Sequence, residues 1–498
     1  MKFNRILCLV FFSVLILFPA CKNNRNSVNT TELRFGFTTE PATLDPLNPA
    51  STADGRSILF NIFEGLVKPN TDGTLMPCIA ESWTIEQEGL IYNFTLRDNI
   101  FFHDGSQLTL SDVKFSLDTA AAAGFSGLDN IQEVRIQKEK EISVILKSTD
   151  PDFLPFLTIG IVKADNTDRE KNVIGTGPFS VESYSPQRNL ILLKFNNYWQ
   201  SSLPHLNKVT IMFFANFDSL MVALRGGSID GAFITGAMAA QLDSGQFDLF
   251  HNTSAAVQLL ALNNGIAPLN DIRVRRAINY GIDVQGIIDA AFFGLGVPSG
   301  SPIIPGLSVY YENHLYNYNP ELAGTLLAEA GFDNSNKLSL EITVPSNYTM
   351  HVDTAQVIVS QLEKIGVNAS IKLVDWSTWR SDAYLARNYQ ATVISLDSPT
   401  VSVRSFLARY NSNSTSNFIN FKNAEYDRVY SAALTETDSA QRISLYKQAQ
   451  RIITENAVSV YIQDIFYYMV FKRGAFSGVK NYPLYVFDFA EIHGTSDN

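Results

Sequence analysis

The sequence has 498 residues, of which 46% are hydrophobic and 17% charged, and its formal net charge is −11. A chain of this length exceeds what one hydrophobic core usually supports, because chains divide into domains beyond about 250–300 residues, and two lobes are therefore expected. The mildly acidic balance lacks a basic stripe that could neutralise phosphates, which argues against nucleic acid as a partner. Three cysteines (Cys8, Cys21 and Cys78) provide neither a disulfide framework nor a thiolate scaffold for a metal.

The first twenty residues have the features of a signal peptide. Lys2 and Arg5 precede an uncharged, mostly apolar run of fifteen residues from Ile6 to Ala20. This run is shorter than the about 20 residues that cross a bilayer, and it fits the apolar core of a removed signal. The cysteine after Ala20 resembles that of a bacterial lipobox, which implies that Cys21 becomes a lipid-bearing N-terminus and that residues 21–32 form a polar tether. An ordinary signal peptide with an incidental cysteine is the alternative.

Strand patterns begin directly after the tether. Leu33 to Phe37 and Tyr92 to Leu96 alternate apolar and polar residues, which predicts half-buried strands. Leu190 to Phe195 and Val209 to Phe214 are more continuously apolar, which predicts more deeply buried strands.

The clearest local unit lies in the second half of the chain. Leu338 to Val344 alternates as a strand, Asp353 to Ile365 carries an apolar stripe at helical spacing and is followed by Gly366, and Val367 to Leu373 alternates again. Strand, helix and strand with short connections predict a βαβ unit, so that part of the protein is a parallel sheet covered by helices.

Three further helices begin at capping residues, namely Asp271, Asn319 before Pro320, and Asp438 or Ser439. In the second of these, the apolar spacing predicts that Leu322 faces the core. In the first, it predicts that Val274 and Ala277 face the core whereas Arg273, Arg275 and Arg276 do not.

No catalytic or metal-binding pattern emerges from the sequence. The six histidines lack metal-ligand spacing, and there is no G-x-S-x-G elbow. The glycine-rich segments, such as Gly175 to Pro178, lack the residues of a phosphate loop or a dinucleotide fingerprint, and they are interpreted as turns. We therefore predict no catalytic residue, no metal site and no cofactor.

A succession of short motifs follows in order along the chain: Thr39–Pro46, Phe63–Leu66, Pro77–Trp83, Phe102–Gly105, Asp112–Ser116, Gly175–Phe179, Asn197–Trp199, Leu224–Asp230, Arg273–Ile278 and Ala323–Phe332. This succession resembles the family 5 extracellular solute-binding proteins, the peptide- and nickel-binding receptors of ABC importers. The resemblance covers roughly residues 33 to 475.

The resemblance implies a two-lobe α/β fold of the periplasmic-binding-protein type, in its larger peptide-binding form, with hinged lobes and mixed or parallel sheets. Lobe 1 would span residues 33–257, completed by about 480–498, and lobe 2 residues 258–479. The first hinge crossing would fall at Gln258 to Leu262. The chain is expected to be a monomer that closes around its ligand.

The same resemblance implies ligand-binding positions between the lobes. Thr39 and Glu40 match a segment after the first strand, Trp376 matches a tryptophan after the last βαβ strand, and Ser395 to Thr400 match a third loop. Peptide-binding members carry an aspartate in that loop. Counting back from Phe406 places Pro399 there, and a two-residue slip brings in Asp397 as the amine anchor instead.

Arg404 lies in the same neighbourhood and could bind a carboxylate.

The implied function is a substrate-binding receptor that captures oligopeptides or dipeptides and delivers them to the permease subunits of an ABC importer. Such a receptor is not an enzyme, and it would be exported and lipid-anchored to a bacterial membrane, facing the periplasm or the cell exterior. Nickel chelate, haem or another small solute remain alternative cargoes, and a secreted hydrolase or an adhesion lipoprotein remain alternative functions.

Overall fold

The structure is a computed structural model that describes residues 31–51, 53–125, 127–313, 315–397, 402–482 and 486–495. The predicted signal peptide, Cys21, almost all of the tether and Pro399 lie outside the described residues.

The strands are β1 Glu32–Phe37, β2 Val67–Pro69, β3 Leu75–Pro77, β4 Ala80–Glu86, β5 Ile91–Leu96, β6 Ile131–Lys138, β7 Glu141–Leu146, β8 Phe179–Ser185, β9 Asn189–Lys194, β10 Lys208–Phe213, β11 Gly231–Thr235, β12 Phe247–Leu262, β13 Gly296–Pro298, β14 Ser339–Pro345, β15 Asn368–Val374, β16 Ala391–Asp397, β17 Ser459–Lys472, β18 Phe476–Ser477 and β19 His493–Gly494. The α-helices are α1 Ala53–Leu59, α2 Leu110–Ala122, α3 Phe217–Gly226, α4 Gly236–Ala239, α5 Ile272–Gly281, α6 Val284–Phe292, α7 Pro320–Glu329, α8 Thr349–Lys364, α9 Trp376–Thr378, α10 Val403–Leu407, α11 Ala424–Thr435 and α12 Ser439–Glu455. Short 3₁₀ turns cover Gln87–Gly89, Leu128–Asn130, Leu154–Thr158 and Ala408–Tyr410, and a π-helix covers Trp379–Leu385.

One large mixed sheet runs through both halves of the molecule in the order β15-β14-β16-β12-β17-β11-β1-β10-β9-β8, with β13 added on β17. A separate antiparallel sheet, β4-β5-β7-β6, belongs to the first half of the chain. The predicted strand patterns correspond to β1, β5, β9 and β10, which confirms the strands. The deeper burial predicted for β9 and β10 is wrong, because buried residues alternate with partly exposed ones along both strands, as they do along β5.

Two long strands join the halves. β12 and β17 pair antiparallel from Phe247 opposite Lys472 to Ala261 opposite Ser459, with register shifts between Thr253 and Val257 and between Gln258 and Leu259. The pairing is thus irregular where the chain passes from one half to the other, and such bulges locally increase the twist of the strands.

Separate hydrophobic clusters surround the two ends of these strands. Phe35, Phe471 and the β4–β7 sheet share one cluster, and a second covers the opposite face of the same strands beneath α3 and α4. Beyond the irregular region, Leu259 and Leu260 enter two other clusters, one on each face of the β14–β16 sheet. The predicted two-lobe α/β fold is confirmed: the first lobe lies around β1 and the second around β14.

The predicted βαβ unit is also confirmed. β14 pairs in parallel with β15 from Ser339 opposite Asn368 to Pro345 opposite Val374, and α8 connects them. The helix begins at Thr349 and not at Asp353. Its first turn contains the buried polar residue His351, which does not continue an apolar stripe.

Two predictions about helix faces are wrong. Arg275 is only 6% exposed, and its guanidinium donates to the backbone oxygens of Leu269, Asn456 and Ala457. Burial lowers its pKa to about 10, and these carbonyl partners explain how a cation remains inside. Leu322 is 37% exposed, whereas its neighbour Ala323 is buried.

Candidate functional site

The two sets of parallel strands point their carboxyl ends at each other. β1 is parallel to β10 and β11, and β14 is parallel to β15 and β16. β12 is antiparallel to β16 and β17, and β17 is antiparallel to β11, so the two sets run in opposite directions.

The strand register places both sets of ends at the same level. β16 ends with Asp397 opposite Ala256, and β11 ends with Thr235 opposite Tyr467, which itself faces Asn252. Both sets therefore end along the irregular region of β12. Open α/β sheets bind ligands in the crevice outside the carboxyl ends of their strands. The crevice between the lobes is the candidate site.

The first-lobe wall begins where β1 ends. Thr39 is exposed, and Glu40 is half-buried. The Glu40 carboxylate accepts hydrogen bonds from the Tyr184 hydroxyl at 2.6 Å and from the Gln187 backbone N–H at 2.8 Å. Burial raises the pKa of the Tyr184 hydroxyl, and the adjoining carboxylate raises it further. Glu40 therefore fastens the β8–β9 hairpin to this wall.

Aromatic rings form the second-lobe wall. Trp376 follows β15 and stacks on Trp379 with a centroid distance of 5.0 Å and an interplanar angle of 11°. Tyr348 follows β14 and contacts Trp376 edge-on at 5.5 Å. Trp379 is buried and donates its Nε1–H to the Thr392 hydroxyl at 2.9 Å, whereas Trp376 is 41% exposed. An anchored ring thus supports a ring that remains accessible.

The turn that presents Trp376 is fixed by the residue before it. Asp375 caps α9 by accepting from the Thr378 backbone N–H at 3.0 Å and from the Thr378 hydroxyl at 2.6 Å. Hydrogen bonds from the Ser377 and Thr378 side chains hold the pKa of the Asp375 carboxyl below its usual range. The π-helix that follows is a feature often found at functional sites. The role of Asp375 is missing from the sequence prediction, although aspartate is among the residues preferred at a helix N-cap.

Asp397 is exposed at the end of β16. Its backbone oxygen accepts from Arg409 at 2.7 Å. Its carboxylate has no ion-pair or hydrogen-bond partner in the part of the chain that the structure describes. This exposed acid lies on the same sheet edge as Tyr348 and Trp376.

Polar groups continue beneath Asp397. Ser395 pairs with Gln258 across β16 and β12, and among the described residues its buried hydroxyl has no hydrogen-bond partner. Gln258 accepts from Gln463 at 2.9 Å and lies 3.1 Å from His351 Nδ1. Burial lowers the pKa of His351 to about 4, so the ring is neutral at physiological pH. The buried network of Gln258 and His351 between β12 and α8 is therefore neutral, and the Ser395 hydroxyl next to it is left for a water molecule to satisfy.

Unlike these residues, Arg404 contacts the first lobe. Its guanidinium forms an ion pair with Asp150, a first-lobe residue whose side chain is 1% exposed. The structure therefore brings Tyr348, Trp376, Ser395 and Asp397 to one sheet edge, with Thr39 and Glu40 on the opposite wall, while Arg404 already binds a carboxylate of the protein.

A separate cavity of about 430 Å³ lies within the second lobe, lined by Asn279, Glu312, Tyr316 and the first residues of β17. Its lining includes Ser459, which is far along β17 from the irregular region. This cavity is distinct from the crevice.

Within the described ranges, no group of three or more histidine, cysteine or acidic side chains is arranged to hold a metal ion. Over the same ranges, no helix combines the length and the apolarity needed to cross a bilayer.

Residues 74–418 match the family of bacterial extracellular solute-binding proteins, family 5 Middle. The chain belongs to this family. The match confirms the resemblance inferred from the motifs, and it places the chain among solute-binding receptors.

Two relatives in sequence and one solved structure are similar to this chain. Heme-binding protein A of Haemophilus influenzae is 26% identical over 484 residues, covering 87% of each chain. The glutathione-binding protein GsiB of Salmonella typhimurium is 25% identical, covering 82% of this chain and 84% of its own. The crystal structure of the binding protein DppA from Helicobacter pylori, in complex with the peptide STSA, superposes with a TM-score of 0.76 at 23% identity, covering 93% of this chain and 98% of its own.

Proposed function

We propose that the protein captures short peptides in the crevice between its lobes and delivers them to the permease of an ABC importer. The observation that carries this proposal is the second-lobe edge, where the exposed carboxylate at the end of β16 lies on the same sheet edge as an exposed aromatic ring that a buried ring supports. A peptide brings an α-ammonium for Asp397 and apolar side chains for Trp376 and Tyr348. Its backbone can hydrogen-bond to strand edges without regard to sequence.

The closure that such a receptor needs follows from the placement of the walls. A ligand that touches both Glu40 or Thr39 on one side and Trp376 or Asp397 on the other binds the closed arrangement more strongly than the open one. The irregular pairing of β12 and β17 supplies the place where the lobes can rotate.

The test is calorimetric titration of dipeptides to tetrapeptides against wild type and Asp397→Asn. Loss of a charge-assisted bond of about 1.5–3 kcal/mol should weaken binding roughly 10- to 150-fold. Asp289→Asn, an exposed acid on α6, is the matched control and should bind as wild type. If Asp397→Asn binds free-amine and N-acetylated peptides as tightly as wild type does, the amine-anchor role is contradicted.

A planar apolar solute such as haem is the second candidate. The stacked pair of Trp376 and Trp379 favours it, because a flat ring can continue the stack. Haemin and peptides separate the two proposals. A haem receptor would depend on Trp376 and be indifferent to Asp397, whereas a peptide receptor needs both.

The lobe boundaries also enter the proposal. The first crossing falls within β12, near the expected residues 257 and 258. Met469, Phe471 and Phe476 pack with β1, which supports a second crossing within β17 near Asp464 and not at Val479. Phe487 and Phe489 lie in the same first-lobe cluster, which supports completion of lobe 1 by the C-terminal segment.

Export, lipid attachment at Cys21 and action as a non-catalytic monomer complete the proposal. The support is the signal-like N-terminus together with the extracellular family assignment. A lipid anchor would keep the receptor near its permease and raise their effective concentration. Cys21→Ser should release the protein from membranes in a fractionation experiment, and retention of that variant would contradict the anchor.

A further inference from the structure

A loop of the first lobe contacts the second lobe through residues that belong to neither crossing strand. The loop follows β7 and contains Asp150 and Asp152. Asp150 forms an ion pair with Arg404 at the start of α10. Asp152 pairs with Arg442 Nε at 3.1 Å and accepts a hydrogen bond from the Tyr446 hydroxyl, both on α12.

The first lobe holds the loop in place by itself. The Asp150 backbone N–H donates to the Gly89 oxygen at 3.1 Å, and the Tyr92 hydroxyl donates to the Asp150 oxygen. Gly89 has a φ of +89°, and a Cβ there would lie 3.0 Å from the Pro151 nitrogen. Asp150 Oδ1 also accepts from the Asp152 backbone N–H at 3.2 Å. The Asp150 carboxylate and the backbone of Asp152 are therefore positioned without help from the second lobe.

The second lobe holds the partner groups in a similar way. Arg442 Nη1 donates to the backbone oxygen of Glu436 at 2.8 Å, which orients its guanidinium beside Asp152. The Tyr430 hydroxyl donates to the backbone oxygen of Arg404 at 3.1 Å. Tyr446 follows Arg442 by one helical turn, so that both reach the same carboxylate.

This contact differs from an ordinary surface ion pair, which contributes little to stability. The Asp150 side chain is 1% exposed, and those of Asp152 and Arg442 are 21% and 16% exposed. Burial raises the pKa of the Asp150 carboxyl, and the neighbouring Arg404 opposes that rise. Charge-assisted bonds between pre-positioned groups are strong when water is excluded, and a separation of the lobes would break them together.

We propose that Asp150 and Asp152 form a latch with Arg404, Arg442 and Tyr446 that favours the closed arrangement of the lobes before any ligand binds. The inference rests on the proposed receptor function, because the latch sets the fraction of receptor molecules whose lobes are closed. Asp150 and Asp152 are thus positioning residues. The apparent dissociation constant of a ligand equals its intrinsic value divided by the binding-competent fraction, so a weaker latch lowers affinity without touching the crevice.

The experiment measures lobe separation without ligand. Small-angle X-ray scattering compares the full chain without its signal peptide in five forms: wild type, Asp150→Asn/Asp152→Asn, Tyr446→Phe, Arg442→Gln and the control Asp168→Asn. We expect a larger radius of gyration for the double variant and for Arg442→Gln, and a smaller shift in the same direction for Tyr446→Phe. Asp168→Asn, which removes an exposed ion pair with Lys171 inside the first lobe, should leave the radius unchanged.

Affinity is then measured by calorimetry with glutathione and with the peptide Ser-Thr-Ser-Ala as probes. An about tenfold loss in the double variant, with faster dissociation, is expected. Variants from the two lobes must agree, which guards against local misfolding of either one.

An unchanged radius in all variants, even with a lower melting temperature, would mean a static interface and would overturn the latch. If the radius shifts but neither probe binds wild type, the latch stands and the peptide proposal for these probes fails. If the probes bind and the radius does not shift, the receptor stands and the latch fails.

Discussion

The two walls of the crevice differ in how their polar groups are used. On the first-lobe wall, Glu40 is occupied by Tyr184 and Gln187. On the second-lobe wall, Asp397 is exposed, and its carboxylate has no hydrogen-bond or ion-pair partner among the described residues. A carboxylate that is already bonded shapes a wall, whereas an unoccupied one can recognise charge. We propose that recognition of the ligand's charge belongs mainly to the second lobe and that the first lobe mainly shapes the site.

The largest expected effect concerns Trp379, the buried ring on which Trp376 stacks. Trp379→Ala removes a buried side chain that also bonds Thr392, and it should lower the free energy of unfolding by about 3–5 kcal/mol. Thermal and denaturant unfolding measure this loss. Trp379→Phe, which keeps a ring without the N–H, should cost clearly less. Equal losses for the two variants would show that ring packing contributes little here.

The next effect is a pH dependence that comes from His351, whose ring is buried between α8 and β12. His351 stays neutral in the folded state down to about pH 4, whereas in the unfolded chain it binds a proton below about pH 6.5. The unfolded state thus binds more protons between these values, so stability is lost as pH falls from 6.5 towards 4, by at most roughly 3 kcal/mol. Denaturant unfolding across this range should show a shallower decline for His351→Gln. An identical decline would contradict the assignment.

Binding should depend on the exposed ring more than stability does. Trp376→Ala is expected to weaken peptide binding by about tenfold, or roughly 1.4 kcal/mol, with a smaller effect on unfolding than Trp379→Ala. Titration calorimetry of the two variants checks this. The exposed Leu385 provides a control, and Leu385→Ala should leave affinity unchanged. If Trp376→Ala binds like wild type, recognition does not centre on the second-lobe wall.

The smallest effect should come from the first-lobe wall. Glu40→Gln keeps the shape of the side chain and weakens its bonds to Tyr184 and Gln187, which should cost about 1 kcal/mol of stability. Peptide affinity should change less than threefold, about 0.7 kcal/mol. A loss as large as that of Asp397→Asn would place charge recognition on both walls and would remove the contrast between them.

Local patterns account for what the sequence predicts well. The alternation around Leu340 and Ile371 and the helix between them are set by neighbours in the chain, and β14, α8 and β15 form as expected. Arg275 escapes prediction because its partners, the oxygens of Asn456 and Ala457, lie more than 180 residues away. The pairing of Arg404 with Asp150 escapes for the same reason, at a separation of 254 residues.

The candidate site likewise has a part that the local sequence predicts and a part that depends on the pairing of distant strands. The candidate position of Trp376 follows from a family motif in the sequence, whereas that of Asp397 needs a two-residue slip from the ungapped count, which gives Pro399. That their strand ends oppose those of β1 and β11 depends on the antiparallel pairing of β12 with β16 and β17, which no local pattern specifies. The capping role of Asp375 lies between these cases, because its signal is local but becomes meaningful only at the sheet edge.

The return of the chain to the first lobe has a consequence for biogenesis. Phe487 and Phe489 contact Phe37 and Phe35, and Asn61 bonds to the backbone of both C-terminal residues. The hydrophobic core around Phe35 and Phe37 is therefore complete only after the segment with Phe487 and Phe489 has been synthesised. With the proposed lobe boundaries, the residues of the second lobe are contiguous, so its core does not depend on the C-terminal segment. Synthesis that stops early leaves the aromatic cluster around Phe35 open, a state that proteases and chaperones can detect.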